Sequence, residues 1–379
     1  MPVAQLSAGE SASRFPRTVA VIEKGRRQNL HFGLTVSIRR GGEALAEFSV
    51  GETPDGAPLE PWHLMPWLSA GKPLTAVAVM REVERGRLHL DQSIAEVIPE
   101  FGVKGKQGIT LKHVLIHMCG LDLAPVGWPQ APWDSIIGRI CERGIRQGFV
   151  VGHDAAYDPS RSWFILGELL HRVDGRMPHE IVQDDICRST GMSSTWMAMT
   201  PAEYAVNAPR IGKVAARDEQ GQLKQTHSWT EAFCTAPSPG SSLRGPIGEL
   251  ALFYEMLLQG GTLNGVRILT AETIARMTMR HREGLFDSTF QHKVDFGLGL
   301  LIDSNCYGVE TVPYGFGRYS SSKSFGHGGA QSSIGFCDPQ HGLVVAWAAN
   351  GTPGEAQHNR RNRELNSAIY LDLGLAGDG

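Results

Sequence analysis

The 379-residue sequence has no long apolar run and no large excess of charge of either sign. No window approaches the roughly 18 consecutive apolar residues that a membrane-spanning helix needs. Arg, Glu, Ser and Gly interrupt every apolar stretch in residues 1–30, so we expect no secretory signal, no membrane attachment and a cytoplasmic protein. The 36 basic and 39 acidic residues provide no broad positive surface, which argues against nucleic acid as a partner.

Signatures of metal and nucleotide sites are also missing. The six cysteines form no C-x-x-C pair and have no His-rich neighbourhood, so we expect reduced, mostly buried thiols. His113 and His117 are spaced by one helical turn but have no third ligand nearby. There is no H-E-x-x-H, G-x-x-x-x-G-K-[ST] or G-x-G-x-x-G motif, and the stretch around Ser69 lacks the first Gly of G-x-S-x-G. We therefore expect no metal and no cofactor.

Hydrophobic patterns place strands near both ends of the sequence and helices between them. Alternating residues at 32–40 and 43–50, around Gly41-Gly42, predict a β-hairpin as the first structured piece. Helical spacing at 73–85, 110–119, 162–173 and 248–259 predicts four helices. Strand patterns return at 296–302, 332–337 and 343–349, and a helix is predicted from about 357 to 373.

This order of elements predicts an α/β fold of the α+β type. An antiparallel sheet is built from both chain termini and flanked by helices, and a mainly helical region is inserted into it. Regular βα alternation is missing, which disfavours a doubly wound parallel sheet. We expect residues 1–70 and 295–379 to form the sheet region, residues 71–294 the helical region, and an active-site cleft to lie between them.

Two S-x-x-K motifs are the remaining candidates for chemistry. Ser69 opens a predicted helix, where residues three apart share a face, so Lys72 should stand beside the Ser69 hydroxyl. A buried Lys with a lowered pKa can take the proton of a Ser nucleophile, and the N–H at the helix start supplies half of an oxyanion hole. Ser320 and Lys323 form the second copy, which we interpret as a surface loop because no helix aligns the pair.

Around Ser69 and Lys72 the sequence resembles the serine β-lactamase, penicillin-binding protein and carboxylesterase superfamily. The resemblance is to the class C β-lactamase-like branch, which includes the family VIII esterases, and it extends from about residue 30 to 375. It also rests on the segments 109–121, 260–269 and 325–329. It implies the β-lactamase/transpeptidase-like fold and no metal.

The resemblance assigns Tyr157 to the proton-transfer role of the family's Y-x-N motif. Pro159 stands where that motif has Asn, so the amide that contacts substrate in the family is missing. The sequence leaves open whether Ser160 replaces it.

The family's K-T-G motif resembles His327-Gly328-Gly329, and the residue after it, Ala330, is assigned the second oxyanion N–H. A His is largely neutral near pH 7, which weakens recognition of a substrate carboxylate. The Gly pair predicts close approach of substrate to the strand and a broader acyl pocket. Loop aromatics are further candidates for the pocket wall, although each could equally be core: Trp128, Trp133, Trp163, Tyr307, Tyr314, Phe316 and Tyr319.

These residues predict a serine enzyme that forms an acyl-enzyme on Ser69 from a small ester or amide. Transfer of the acyl group to water would make it an esterase, and transfer to an amine or alcohol a biosynthetic transacylase. The alternatives are a β-lactamase or penicillin-binding activity, and a non-catalytic binding protein of the same fold, which Pro159 suggests. The sequence does not identify the acceptor or the oligomeric state.

Overall fold

The computed structural model describes residues 5–376, and its main sheet joins strands from both ends of that range. The strands are β1 Gly33–Arg40, β2 Glu43–Gly51, β3 Asp295–Phe296, β4 Leu301–Ile302, β5 Phe325–Gly329, β6 Ser333–Asp338 and β7 Leu343–Ala349. Their spatial order is β3-β4-β5-β6-β7-β1-β2, with every neighbouring pair antiparallel. The predicted α+β fold class is confirmed. Residues 1–4 and 377–379, which the sequence assigns to the sheet region, lie outside the described residues.

Helices fill most of the remaining regular structure. They are α1 Ala8–Arg14, α2 Pro16–Arg27, α3 Lys72–Glu84, α4 Leu111–Leu115, α5 Trp133–Cys141, α6 Arg161–Asp174, α7 Pro178–Val182, α8 Pro201–Asn207, α9 Glu231–Thr235, α10 Ile247–Leu258, α11 Ala271–Thr278 and α12 Glu355–Asp372. The helices predicted at 73–85, 162–173, 248–259 and 357–373 are confirmed within two residues at each end.

The two faces of the sheet carry different helices. Alternate residues of β7 point to opposite sides, so Trp347 packs with Ile369 of α12, whereas Ala346 belongs to the core that contains α10. Helix α10 lies directly on β1, β6 and β7, although its sequence position is within the middle of the chain. A helix from the middle of the chain therefore covers one face of the sheet.

Two predicted elements are wrong in extent. The helix predicted over 110–119 begins after Thr110 as expected but ends at Leu115, because the chain turns at His117, whose φ is +57°. The strand predicted over 296–302 is a tight hairpin of β3 and β4, since Gly299 takes a φ of +76°.

The first structured piece is not the β1–β2 hairpin, because two helices precede it. Helix α2 buries Thr18, Ile22 and Gly25 at helical spacing, and the carboxylate of Asp372 accepts hydrogen bonds from the N–H and hydroxyl of Thr18. This apolar stripe is narrow among Arg and Lys residues, so hydrophobic periodicity did not reveal it.

No helix within residues 5–376 is long and apolar enough to cross a membrane. All six cysteines are unpaired; five are buried and Cys306 is exposed.

Gly335→Ala tests the contact between the sheet and α10. A Cβ on Gly335 of β6 would lie 2.1 Å from the ring of Tyr254 on α10, which is fully buried. We expect a loss of about 1–3 kcal/mol in the free energy of unfolding, measured by urea denaturation. Gly138→Ala on α5 is the matched control, because nothing lies within 4 Å of its Cβ and helix propensity should leave stability equal or slightly higher. Equal stabilities of the two variants would contradict this packing.

Candidate active site

Ser69 lies in a single 3-10 turn, Leu68–Gly71, that leads directly into α3. Leu68 has a φ of +50°, a strained conformation for a residue with a branched side chain. The preceding residue is held in place, since the Trp67 N–H donates to the Leu243 carbonyl at 2.8 Å. The turn therefore presents Ser69 at the start of a helix, as the sequence predicted.

Lys72 stands beside Ser69 and is fully buried. Its Nζ donates to Ser69 Oγ at 3.1 Å and to the carbonyl oxygens of Pro159 at 2.8 Å and Gly240 at 2.6 Å. Burial lowers the pKa of Lys72 to about 7, although the negative charge of Asp158 opposes this change. A large fraction of the amine is therefore neutral near pH 7, and its lone pair can take a proton from Ser69.

Tyr157 is the second side chain in contact with the Ser69 hydroxyl, because its own hydroxyl donates to Ser69 Oγ at 2.9 Å. Burial raises the pKa of Tyr157, so the hydroxyl keeps its proton. The Tyr157 N–H donates to the Asp287 carboxylate at 2.9 and 3.1 Å, and Asp287 forms a 3.0 Å ion pair with Arg282 in which both side chains are fully buried. Tyr157 is thus anchored through its backbone to a rigid charged pair.

Asp158 fixes the segment that follows Tyr157. Its carboxylate accepts from the N–H groups of Ser160, Arg161 and Ser162 at 2.8–2.9 Å, which caps the start of α6. Its own N–H donates to His117 Nδ1 at 3.1 Å, and burial keeps the pKa of His117 well below its usual value. His117 is therefore a neutral acceptor within the scaffold rather than one of a metal-binding pair with His113.

The His-Gly-Gly segment forms the end of β5 on the other side of the pocket. His327 Nδ1 donates to the Gly328 carbonyl at 2.7 Å, and burial, assisted by the charge of Lys72, lowers the pKa of His327 to about 3. The ring is neutral, and its buried Nε2 has no partner among residues 5–376. Neither Ser69 nor Ala330 donates its N–H to a turn or loop acceptor within that range.

The two glycines of β5 make room for the protein itself. A Cβ on Gly328 would lie 2.3 Å from the Tyr314 ring, and one on Gly329 would lie 2.3 Å from the Trp67 carbonyl oxygen and 2.1 Å from Ser333 Oγ. The broader pocket expected from the Gly pair does not form at these two positions, because Tyr314 and the turn before Ser69 occupy the space.

A cavity of about 300 Å³ opens above Ser69. Five of the predicted site residues line this cavity, and the other two, Lys72 and Gly329, are not part of its wall. The five are Ser69, Tyr157, His327, Gly328 and Ala330. The lining residues are Ser69, Tyr157, Pro159, Thr289, Phe290, Leu301, Pro313, Tyr314, His327, Gly328, Ala330, Glu355 and Asn359. Pro159 contributes to this wall and Ser160 does not, so Ser160 does not take the place of the missing Asn.

The beta-lactamase family model matches residues 19–369. The chain belongs to the beta-lactamase family. Esterase EstB of Burkholderia gladioli is 32% identical over 395 aligned residues, covering 95% of this chain and 96% of the relative. The crystal structure of a family VIII carboxylesterase, at 20% identity, covers 95% of this chain and 97% of its own with a TM-score of 0.79. EstCE1, described as a hydrolase with promiscuous acyltransferase activity, has 18% identity, coverage of 95% and 99%, and a TM-score of 0.77. The last two show the family fold.

The second S-x-x-K motif is in a loop, as predicted. The Ser320 hydroxyl donates to Asp303 at 2.7 Å, and Lys323 is exposed. No helix aligns this pair, which makes it a matched control for Ser69 and Lys72.

Sequence reasoning missed six residues of the cavity, among them Phe290, Glu355 and Asn359. Phe290 stacks near Tyr157, with ring centroids 4.7 Å apart, and it comes from a loop between two short strands. Glu355 and Asn359 lie one turn apart at the start of α12, a spacing that also fits an ordinary exposed helix face. Of the aromatic candidates, Tyr314 alone is in the cavity wall.

The lowered pKa of Lys72 predicts the pH dependence of acylation. The neutral amine is the base, and its fraction rises with pH until the pKa of about 7 is passed. We expect kcat/KM for p-nitrophenyl butyrate, corrected for spontaneous hydrolysis, to rise about tenfold per pH unit well below pH 7 and to level off above pH 8. A profile that keeps rising toward pH 10 would mean that Lys72 retains an ordinary pKa.

Proposed function

We propose that the chain is a serine carboxylesterase, which cleaves small esters through an acyl-enzyme on Ser69. The observation that carries the proposal is the hydrogen-bonded group of Ser69, Lys72 and Tyr157 at the base of one cavity. The name of Esterase EstB, which aligns over nearly the whole of this chain, supports the same activity. Cleavage of small amides by the same group is chemically possible but needs a poorer leaving group to depart.

In the acylation step, neutral Lys72 takes the Ser69 proton while Ser69 Oγ attacks the ester carbonyl. The carbonyl oxygens of Pro159 and Gly240 accept the two N–H bonds of the neutral amine, so its lone pair is directed to Ser69. The Tyr157 hydroxyl keeps its proton and can donate it to the departing alkoxide. The proton on Lys72 then restores the Tyr157 hydroxyl.

The N–H groups of Ser69 and Ala330 are proposed to hold the oxyanion. Ser69 N–H is at the start of α3, where the helix dipole adds positive potential, and Ala330 follows directly after β5. Deacylation reverses the proton path, with water as the nucleophile and Lys72 with Tyr157 as the base.

β-Lactam hydrolysis is disfavoured relative to ester cleavage by the polarity of the cavity. A β-lactam carries a carboxylate, whereas neutral His327 stands at the position of the family's Lys and Glu355 adds negative charge to the wall. A non-catalytic binding role is disfavoured because a buried Lys beside a Ser hydroxyl is the arrangement of an activated nucleophile.

Covalent labelling tests the nucleophile. We expect a fluorophosphonate to add one adduct, detected by intact mass and mapped to Ser69, and Ser69→Ala to abolish both the adduct and p-nitrophenyl butyrate hydrolysis. Lys72→Ala should lower the acylation rate by roughly 10²–10⁴-fold, because Tyr157, the other side chain on Ser69 Oγ, keeps its proton and is a poor base. Ser320→Ala and Lys323→Ala are the controls and should keep both activities. An adduct that survives Ser69→Ala would overturn the proposal.

Acyl transfer to an alcohol or amine is a second candidate. It is favoured by the apolar wall of Pro159, Phe290, Leu301 and Pro313, which offers few groups to hold a water over the acyl-enzyme. The promiscuous acyltransferase activity ascribed to EstCE1, a hydrolase of the same fold, supports the same idea.

Product analysis separates transfer from hydrolysis. We expect added 1-butanol at rising concentration to convert part of the butyryl group of p-nitrophenyl butyrate into butyl butyrate, measured by gas chromatography. Ser69→Ala must form neither product. If butyrate is the sole product at all butanol concentrations, acyl transfer is ruled out and hydrolysis is the activity that remains. A cytoplasmic location stays a prediction, which cell fractionation would check.

A further inference from the structure

One part of the cavity wall combines aromatic rings with a single carboxylate. Phe290 lies between Tyr157 and Tyr314, with ring-centroid distances of 4.7 and 5.9 Å. Glu355 is exposed to the cavity beside Tyr314 and accepts the Tyr314 hydroxyl at 2.9 and 3.0 Å. Among the side chains that line the cavity, Glu355 is the single carboxylate and none is a Lys or Arg, while burial keeps His327 neutral.

The charge of Glu355 is not neutralised by the protein in the described part of the chain. Its hydrogen-bond donors there are Tyr314 Oη and Gln331 Nε2, both uncharged. The basic residues that follow on α12 contact other groups: Arg360 contacts Glu364, and Arg361 donates to main-chain carbonyls such as that of Leu30.

Tyr314 is held rigidly in this position. Its φ is +54°, its N–H donates to Asn359 Oδ1 at 3.1 Å, and its hydroxyl also accepts from the Gln331 N–H at 3.3 Å. Its ring packs on Gly328 of β5, where no side chain could be accommodated. Strained backbone conformations that several contacts hold in place are concentrated at functional sites, so we infer that the orientation of the Tyr314 side chain matters to the site.

We propose that this wall is a subsite for an alkylammonium group on the ester substrate. A cation placed among aromatic faces gains from the ring quadrupoles, and a nearby carboxylate adds direct attraction. The subsite lies in the same cavity as Ser69, so a small ester can reach both at once. The inference rests on the proposed esterase function and names its substrate class as cationic esters.

Two pairs of isosteric esters test the subsite from either side of the ester bond. On the alcohol side, butyrylcholine is compared with 3,3-dimethylbutyl butyrate. On the acyl side, the p-nitrophenyl ester of 4-(trimethylammonio)butanoic acid is compared with that of 5,5-dimethylhexanoic acid. We expect kcat/KM to favour the cationic member of at least one pair by about tenfold or more at low ionic strength, and less in high salt.

Glu355→Gln should reduce that preference to near one, mainly through the KM of the cationic ester. A Gln can still accept the Tyr314 hydroxyl, so kcat/KM should fall more for the cationic ester than for the neutral ester. Glu364→Gln on the same helix is the matched control and should preserve the preference, because Glu364 pairs with Lys24 away from the cavity. Phe290→Leu should lower the preference while keeping an apolar wall.

The outcomes distinguish the subsite from the esterase function. If neutral esters are cleaved through Ser69 but no cationic ester is preferred, or if Glu355→Gln leaves the preference unchanged, the subsite is wrong and the esterase stands. If no ester of either pair is cleaved or labels Ser69, the proposed function itself fails.

Discussion

The site depends on one amine that is kept away from water. Lys72 is fully buried, and its partners beyond Ser69 are the carbonyl oxygens of Pro159 and Gly240. Carbonyl oxygens stabilise an ammonium less than a carboxylate would, so burial favours the neutral amine. The three contacts come from the start of α3, the turn before α6 and the loop before α10, which is why one base requires most of the folded chain.

A second layer of polar contacts keeps those segments in register. The buried Arg282–Asp287 pair anchors the Tyr157 N–H, and Asp158 links the same turn to His117. Breaking a fully buried pair by removing one partner costs about 3–5 kcal/mol, because it leaves an uncompensated charge. The position of the Tyr157 hydroxyl on Ser69 is thus supported by groups that do not line the cavity.

Whether a part of the fold or the site could be predicted depends on how far apart in the sequence its interacting residues are. Local patterns were sufficient for the β1–β2 hairpin, for four of the helices and for the Ser69–Lys72 pair, since three-residue spacing on a helix is a local property. Tyr157 and His327 could be assigned only through the family resemblance, because neither has a local signature. Phe290 and Glu355 had neither a local pattern nor a family motif. They become part of the site only because segments distant in the sequence fold around the cavity.

The charges of the side chains that line the cavity can differ without any change in the fold. In the family's K-T-G pattern a Lys gives the strand a permanent cation, whereas His327 is neutral and its Nδ1 is already engaged by the Gly328 carbonyl. The strand therefore offers the buried Nε2 lone pair as an acceptor, and the carboxylate of Glu355 faces the same space. Ser69 and its base need the geometry of α3, the turn before α6 and the loop before α10. Charge selection comes from two side chains outside that geometry, so the same acylation chemistry can serve substrates of opposite charge.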